Sequence, residues 1–166
     1  MARFLKCHTH TQLVNHTKNM TEKFLKGKFK EYNTLYFNGS LKQVVIKTFK
    51  GRSVAGRFVC TEDKKTGRLK SKTIYIASNV EWDEHTLRRV LVHEMIHYYI
   101  ARNQTLFWKK DWFSHGKNFK TVMKDINSKY GLDIKIRDTD IQFTDKKEPP
   151  KSFFKKLWWY FKNRIL

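Results

Sequence analysis

The chain has 166 residues, 40% of them hydrophobic, which is enough for one domain with a buried core and too few for two comfortable ones. Its 35 Lys and Arg against 15 Asp and Glu leave a formal charge of +20, which points to a polyanionic partner such as nucleic acid or an anionic membrane surface. Two cysteines, Cys7 and Cys60, exclude a disulfide framework, and no stretch reaches the about 18 apolar residues of a membrane span.

The charge is uneven. Residues 1–80 hold 17 basic and 4 acidic side chains, residues 81–145 hold 11 and 10, and residues 146–166 hold 7 and 1. The basic surface therefore comes from the first half and the tail. The opening "MARFLKCHTH" lacks the apolar core of a signal peptide, so an intracellular location, cytoplasmic or nucleoid-associated, is expected.

Residues 1–20 are polar and without period, an arm carrying Cys7, His8, His10 and His16 at spacings that match no zinc module. In 21–39, Phe24, Leu25, Phe29, Tyr32, Leu35 and Tyr36 recur every three or four residues, with Thr21 as N-cap and "NG" as stop. That predicts an amphipathic helix. Three β-branched runs follow, 41–49, 53–60 and 72–78, separated by turn residues, and they read as a small antiparallel meander. Gly56 inside the second run signals a bulge or a close backbone approach.

Ser78 and Glu81 form a capping-box pattern, after which 82–102 reads as a second helix. Residues 103–114 are an aromatic-rich connection, in which Phe107, Trp108, Trp112 and Phe113 could form a lid over the core or a gate at a site. Residues 115–131 predict a third helix, with Phe119, Val122, Met123, Ile126 and Tyr130 on one face and Gly131 as stop. "LDIKIRD" then reads as a closing strand. The tail 149–166 follows a Pro-Pro break as a basic, aromatic amphipathic helix. It could dock on a protein, contact nucleic acid or lie on a membrane surface. The expected division is an arm (1–20), one α+β domain (21–145) and a tail (146–166).

The segment "RRVLVHEMIHYYIAR" places three polar groups in a helix that is apolar almost all round, which is costly unless something binds them. At about 100° per residue, His93, Glu94 and His97 fall on one side. Two imidazoles at i and i+4 can aim at one ion, and the Glu after the first His sits close enough to take a proton from a water at that ion. This H-E-x-x-H arrangement favours zinc, which suits imidazole in a tetrahedral site with one open position. Two histidines satisfied by hydrogen bonds in a core are the competing reading.

A catalytic zinc needs a third protein ligand. The metzincin continuation fails, because Ile100 and Asn103 stand where Gly and His are required. The candidates are His115, Asp111 and His85, with His115 preferred because "HG" opens the next helix and could return an imidazole across the first.

These residues resemble the SprT-like family of zinc metalloproteases, of the Spartan type. The likeness runs from about residue 24 to 134, through "EYNTLYFNGSL", "VAGRF", "TIYIAS", "HEMIH" and "HGKNFKTVMKDINSKYGL". It implies a minigluzincin-like metalloprotease domain, with a small antiparallel sheet on a buried HExxH helix. It further implies His93, His97 and His115 as zinc ligands and Glu94 as general base, with cleavage of proteins bound to or near DNA. The paired Cys-x-x-Cys motifs of the C-terminal zinc ribbon that many family members carry have no counterpart in Cys7 and Cys60, so coupling to DNA falls to the basic first half or the tail, or is absent. A basic nucleic-acid-associated or assembly protein, its zinc mainly structural, is the alternative.

Overall fold

A computed structural model describes residues 20–63, 65–66, 68–103 and 115–144. The expectations for the arm (Cys7, His8, His10, His16), for Asp111 and the aromatic connection, and for the tail lie outside the described residues.

Thr21 starts the first helix, α1 (Glu22–Phe37), its hydroxyl accepting the Phe24 N–H at 3.2 Å. Asn38 ends it in the left-handed region at φ 52°, and Gly39 follows at φ 68°. The buried face is Leu25, Phe29, Tyr32, Asn33 and Phe37. Leu35, expected on that face, is 49% exposed, and Asn33 takes a buried position instead. The Asn33 amide serves both backbone groups of Leu41, at 2.9 and 3.0 Å, which locks the turn out of the helix.

Three strands follow: β1 (Val45–Phe49), β2 (Gly56–Glu62) and β3 (Leu69–Ala77). They do not form a meander. The order is β1-β3-β2, with β1 parallel and β2 antiparallel to β3, so the sheet is mixed. The reason lies in burial. β3 is the most buried strand, with Ile74, Ile76 and Ala77 fully buried, and it takes the centre, whereas Val45 and Val59 on the flanking strands are half exposed. The register sets Ile46, Ile74 and Phe58 on the inner face, and Lys47, Tyr75 and Arg57 on the outer one. The bulge falls between Thr61 and Glu62, not at Gly56.

The second helix, α2 (Glu84–Asn103), begins two residues later than its pattern suggests. Asp83 is the cap: its carboxylate accepts the Thr86 N–H at 2.9 Å and the Thr86 hydroxyl at 2.6 Å. Ser78 instead bonds the Phe49 carbonyl, and the Trp82 indole donates to Ala77 O at 2.8 Å, which ties 78–82 back to the sheet. Ten residues of α2 are buried, among them Leu91, Val92, Met95 and Ile96 at 0% exposure. Each such aliphatic side chain contributes roughly 1.5–3 kcal/mol. α2 packs on the inner sheet face and against both other helices, so it is the centre of the core.

The third helix, α3 (Lys117–Tyr130), ends at Gly131, φ 65°. Phe119 and Ile126 are buried, with Val122, Met123 and Tyr130 packed partly against the core. The expected closing strand does not form. Residues 132–139 run without strand pairing, and the Asn127 amide holds both backbone groups of Ile134 at 3.0 Å. An isolated bridge, Val80 to Phe143, closes the described chain. No helix among the described residues is long and apolar enough to cross a membrane.

Candidate metal centre

The i, i+4 spacing on α2 sets His93 and His97 one turn apart on one side of the helix, and the entry to α3 brings His115 to them. The three Nε2 atoms form a near-equilateral triangle: 3.0 Å from His93 to His115, 3.2 Å from His97 to His93 and 3.2 Å from His97 to His115. Phe119, in the first turn of α3, lies against all three rings at centroid distances of 4.8, 4.6 and 4.7 Å. It is 1% exposed and anchors the cluster to the core.

The protonation states suit a cation. Burial pushes the imidazolium pKa of His93 down to about 4 and of His97 down to about 3, and it lowers that of His115 as well. All three rings are therefore neutral near pH 7. His93 Nδ1 lies 2.8 Å from the Lys135 carbonyl, which can only accept, so the proton sits on Nδ1 and the Nε2 lone pair points into the triangle. Tetrahedral coordination with Zn–N bonds of about 2.0–2.1 Å separates ligand nitrogens by roughly 3.3 Å, close to the observed spacing. The three histidines can hold a metal ion, and these are the atoms that would do so.

Of the other two third-ligand candidates, His85 pairs with Asp133 at 3.1 Å and stands outside the cluster, and Asp111 lies outside the described residues.

Glu94 is 5% exposed beside this triangle. Burial pushes its carboxyl up to about 8, with the Asp138 charge adding to the rise, while the Phe58 backbone N–H and the Arg57 charge act the other way. A cation on the neighbouring imidazoles would draw it down again. Gly56 explains how the carboxylate fits: a Cβ there would lie 2.7 Å from Glu94 Oε1 and 2.8 Å from Val90 Cγ1. The close backbone approach signalled by that glycine is present.

The site opens into a cleft of about 720 Å³, with α2 as its floor, residues 53–58 of the β2 side as one wall and 136–139 as the other. β2 is an edge strand. Because Ala55 O accepts the Ala77 N–H, alternation turns the backbone groups of Gly56, Phe58 and Cys60 toward the cleft side.

Sequence reasoning missed two contributors to this site, the Lys135 carbonyl and the Phe58 N–H, and it passed over the buried Arg89 on the same helix. The first two are backbone groups and leave no mark in side-chain patterns. Arg89 did leave one, a cation in an apolar helix face, with Asp133, Asp138 and Asp140 clustered in a chain poor in acids.

A search of curated proteins finds no match. A family model does match: the one described as the SprT-like family covers residues 25–140, from α1 through the 136–139 wall, and takes in every residue of the triangle, Glu94 and Gly56. This domain is of the metalloprotease type, and the chain belongs to the SprT-like family.

Proposed function

We propose that the protein is a zinc-dependent endopeptidase, with His93, His97 and His115 as zinc ligands and Glu94 as general base. The observation that carries this is the Glu94 carboxyl beside three imidazoles whose Nε2 atoms converge at 3.0–3.2 Å, on the floor of an open cleft. A structural zinc has no use for a general base and ordinarily takes a fourth protein ligand, which counts against a mainly structural role.

Zinc held by His93, His97 and His115 would supply a Lewis acid to acidify water and polarise the scissile carbonyl. Glu94 takes one proton from the attacking water and passes it to the leaving nitrogen as the C–N bond breaks. The water oxygen ends on the new carboxyl group and the proton on the new amine. The Phe58 N–H orients the Glu94 carboxylate for both transfers. An extended substrate segment fits along the edge of β2, where the backbone supplies hydrogen bonds that any sequence can use.

The substrates are proteins held near nucleic acid. The +20 charge supports this. So does the outer sheet face, where Arg57 lies 5.6 Å over Phe49 and 5.2 Å over Tyr75, with Lys47 beside them. Stacked aromatics among cations suit single-stranded nucleic acid. A membrane surface is the less favoured anionic partner.

The test is cleavage of itself and of a DNA-bound protein by the purified zinc-loaded chain, with and without single-stranded DNA, against an o-phenanthroline control. Glu94→Gln should retain zinc and abolish cleavage. Cleavage that survives this substitution would sink the mechanism.

A further inference from the structure

α2 carries a buried cation that the proposed chemistry leaves unused. Arg89, one turn before His93, is 4% exposed in a helix otherwise packed with aliphatic residues. Its guanidinium meets three carboxylates. Nη1 donates to Asp133 Oδ2 at 3.4 Å, Nη2 to Asp140 Oδ1 and Oδ2 at 3.0 and 3.1 Å, and Nε stands 2.9 Å from Asp138 Oδ1, bent out of hydrogen-bond alignment. The guanidinium is buried while Asp133 and Asp140 stay half exposed, and burying one charge in this way seldom adds stability over an apolar side chain, because desolvation offsets the Coulomb gain. A geometric purpose accounts for it better.

All three carboxylates lie on 133–140, the stretch that forms no strand and so has no ladder to set its path. The same stretch does two things at the centre. Its Lys135 carbonyl holds the His93 Nδ1 proton at 2.8 Å, and its residues 136–139 make one wall of the cleft. Arg89 and His93 are neighbours on one rigid helix, separated by about 6 Å of rise. A planar fork that grips the stretch at three points therefore fixes where the carbonyl sits relative to the imidazole.

We propose that Arg89 is a positioning residue for the metal centre: by clamping Asp133, Asp138 and Asp140 it seats the Lys135 carbonyl, which holds His93 in the Nδ1–H tautomer with Nε2 free to bind. The inference rests on the reading of His93 as a zinc ligand, but its first consequence, the tautomer, can be measured without metal.

The experiment uses the full chain in two arms. In the first, ¹⁵N spectra of the histidine side chains of metal-free protein report the tautomer. The second measures zinc affinity by competition with a chromophoric chelator. Arg89→Met removes the clamp at similar volume, and Asp133→Asn/Asp140→Asn loosens it while leaving Arg89 its Asp138 partner, which preserves the fold if Arg89→Met does not. His85→Gln controls for the His85–Asp133 pair that this double change also breaks.

The expected result is a single Nδ1–H tautomer for His93 in the wild type, a mixture in the double variant, and zinc binding weakened about 10- to 100-fold. His85→Gln should match the wild type. Arg89→Lys should recover only part of the loss, since one ammonium cannot span three carboxylates. A folded double variant with an unchanged His93 tautomer and zinc affinity within threefold of wild type overturns the proposal. Should the wild type bind no zinc, the protease reading fails, and the tautomer arm still decides the clamp.

Discussion

Gly56→Ala is the substitution that most directly tests how the Glu94 carboxyl is placed. The added methyl would sit 2.7 Å from Glu94 Oε1, 2.9 Å from Glu94 Cγ and 2.8 Å from Val90 Cγ1. Ordinary contacts need about 3.5–4.0 Å, so the neighbours must retreat by roughly 1 Å. The α2 backbone cannot yield easily, because Leu91, Met95 and Ile96 on the same helix are fully buried. The side chains move instead, and the Glu94 carboxylate leaves the Phe58 N–H. Overpacking of this kind costs about 1–3 kcal/mol. A misplacement near 1 Å in a proton-transferring group lowers the rate about 100-fold. The expected phenotype is therefore kcat down by about that factor, KM little changed, one zinc still bound, and a thermal midpoint lower by several degrees. Steady-state cleavage, metal analysis and a melting curve read the three quantities. Cleavage within twofold of wild type would refute the account of Gly56 as the space that Glu94 occupies.

Three further expectations follow from the same geometry. His115→Ala should lose the equivalent of zinc that the wild type holds, whereas His85→Ala should keep it; zinc stoichiometry after gel filtration separates the two. Phe119→Ala removes the ring that touches all three imidazoles and should cost about 3–5 kcal/mol of stability with weakened zinc binding, read by denaturant titration and chelator competition. A destabilised variant with undiminished zinc affinity would show that the ring only fills space. Chelating the metal should lower the thermal midpoint, because an ion at about 1,000 times its Kd adds roughly 4 kcal/mol to the folded state. No shift on chelation would mean that the triangle does not hold the ion.

The helices were legible because their signals are local. Thr21 with Asn38 and Gly39, and Gly131, mark the ends of α1 and α3 where the structure has them, since caps involve backbone groups within one turn. The α2 start was misread for the converse reason. Ser78 and Glu81 have the right spacing for a capping box, but the Trp82 and Ser78 bonds to Ala77 O and Phe49 O are long-range competitors that pull the segment onto the sheet. Leu35 fits the three- and four-residue period and is exposed, because a period says which residues share a side and not which part of that side meets the core.

The amino-acid sequence by itself determined that one helix carries His93, Glu94 and His97 on one side, because 3.6 residues per turn is a property of the backbone. It also marked Gly56 as either a bulge or a close backbone approach, without deciding between them. Only the tertiary structure decided that β3 lies between β1 and β2, that His115 supplies the third nitrogen, and that Arg89 faces three carboxylates across 44 or more residues of chain. Strand order and side-chain convergence depend on which surfaces exclude water together, and such pairings between distant segments leave no periodic trace in the chain.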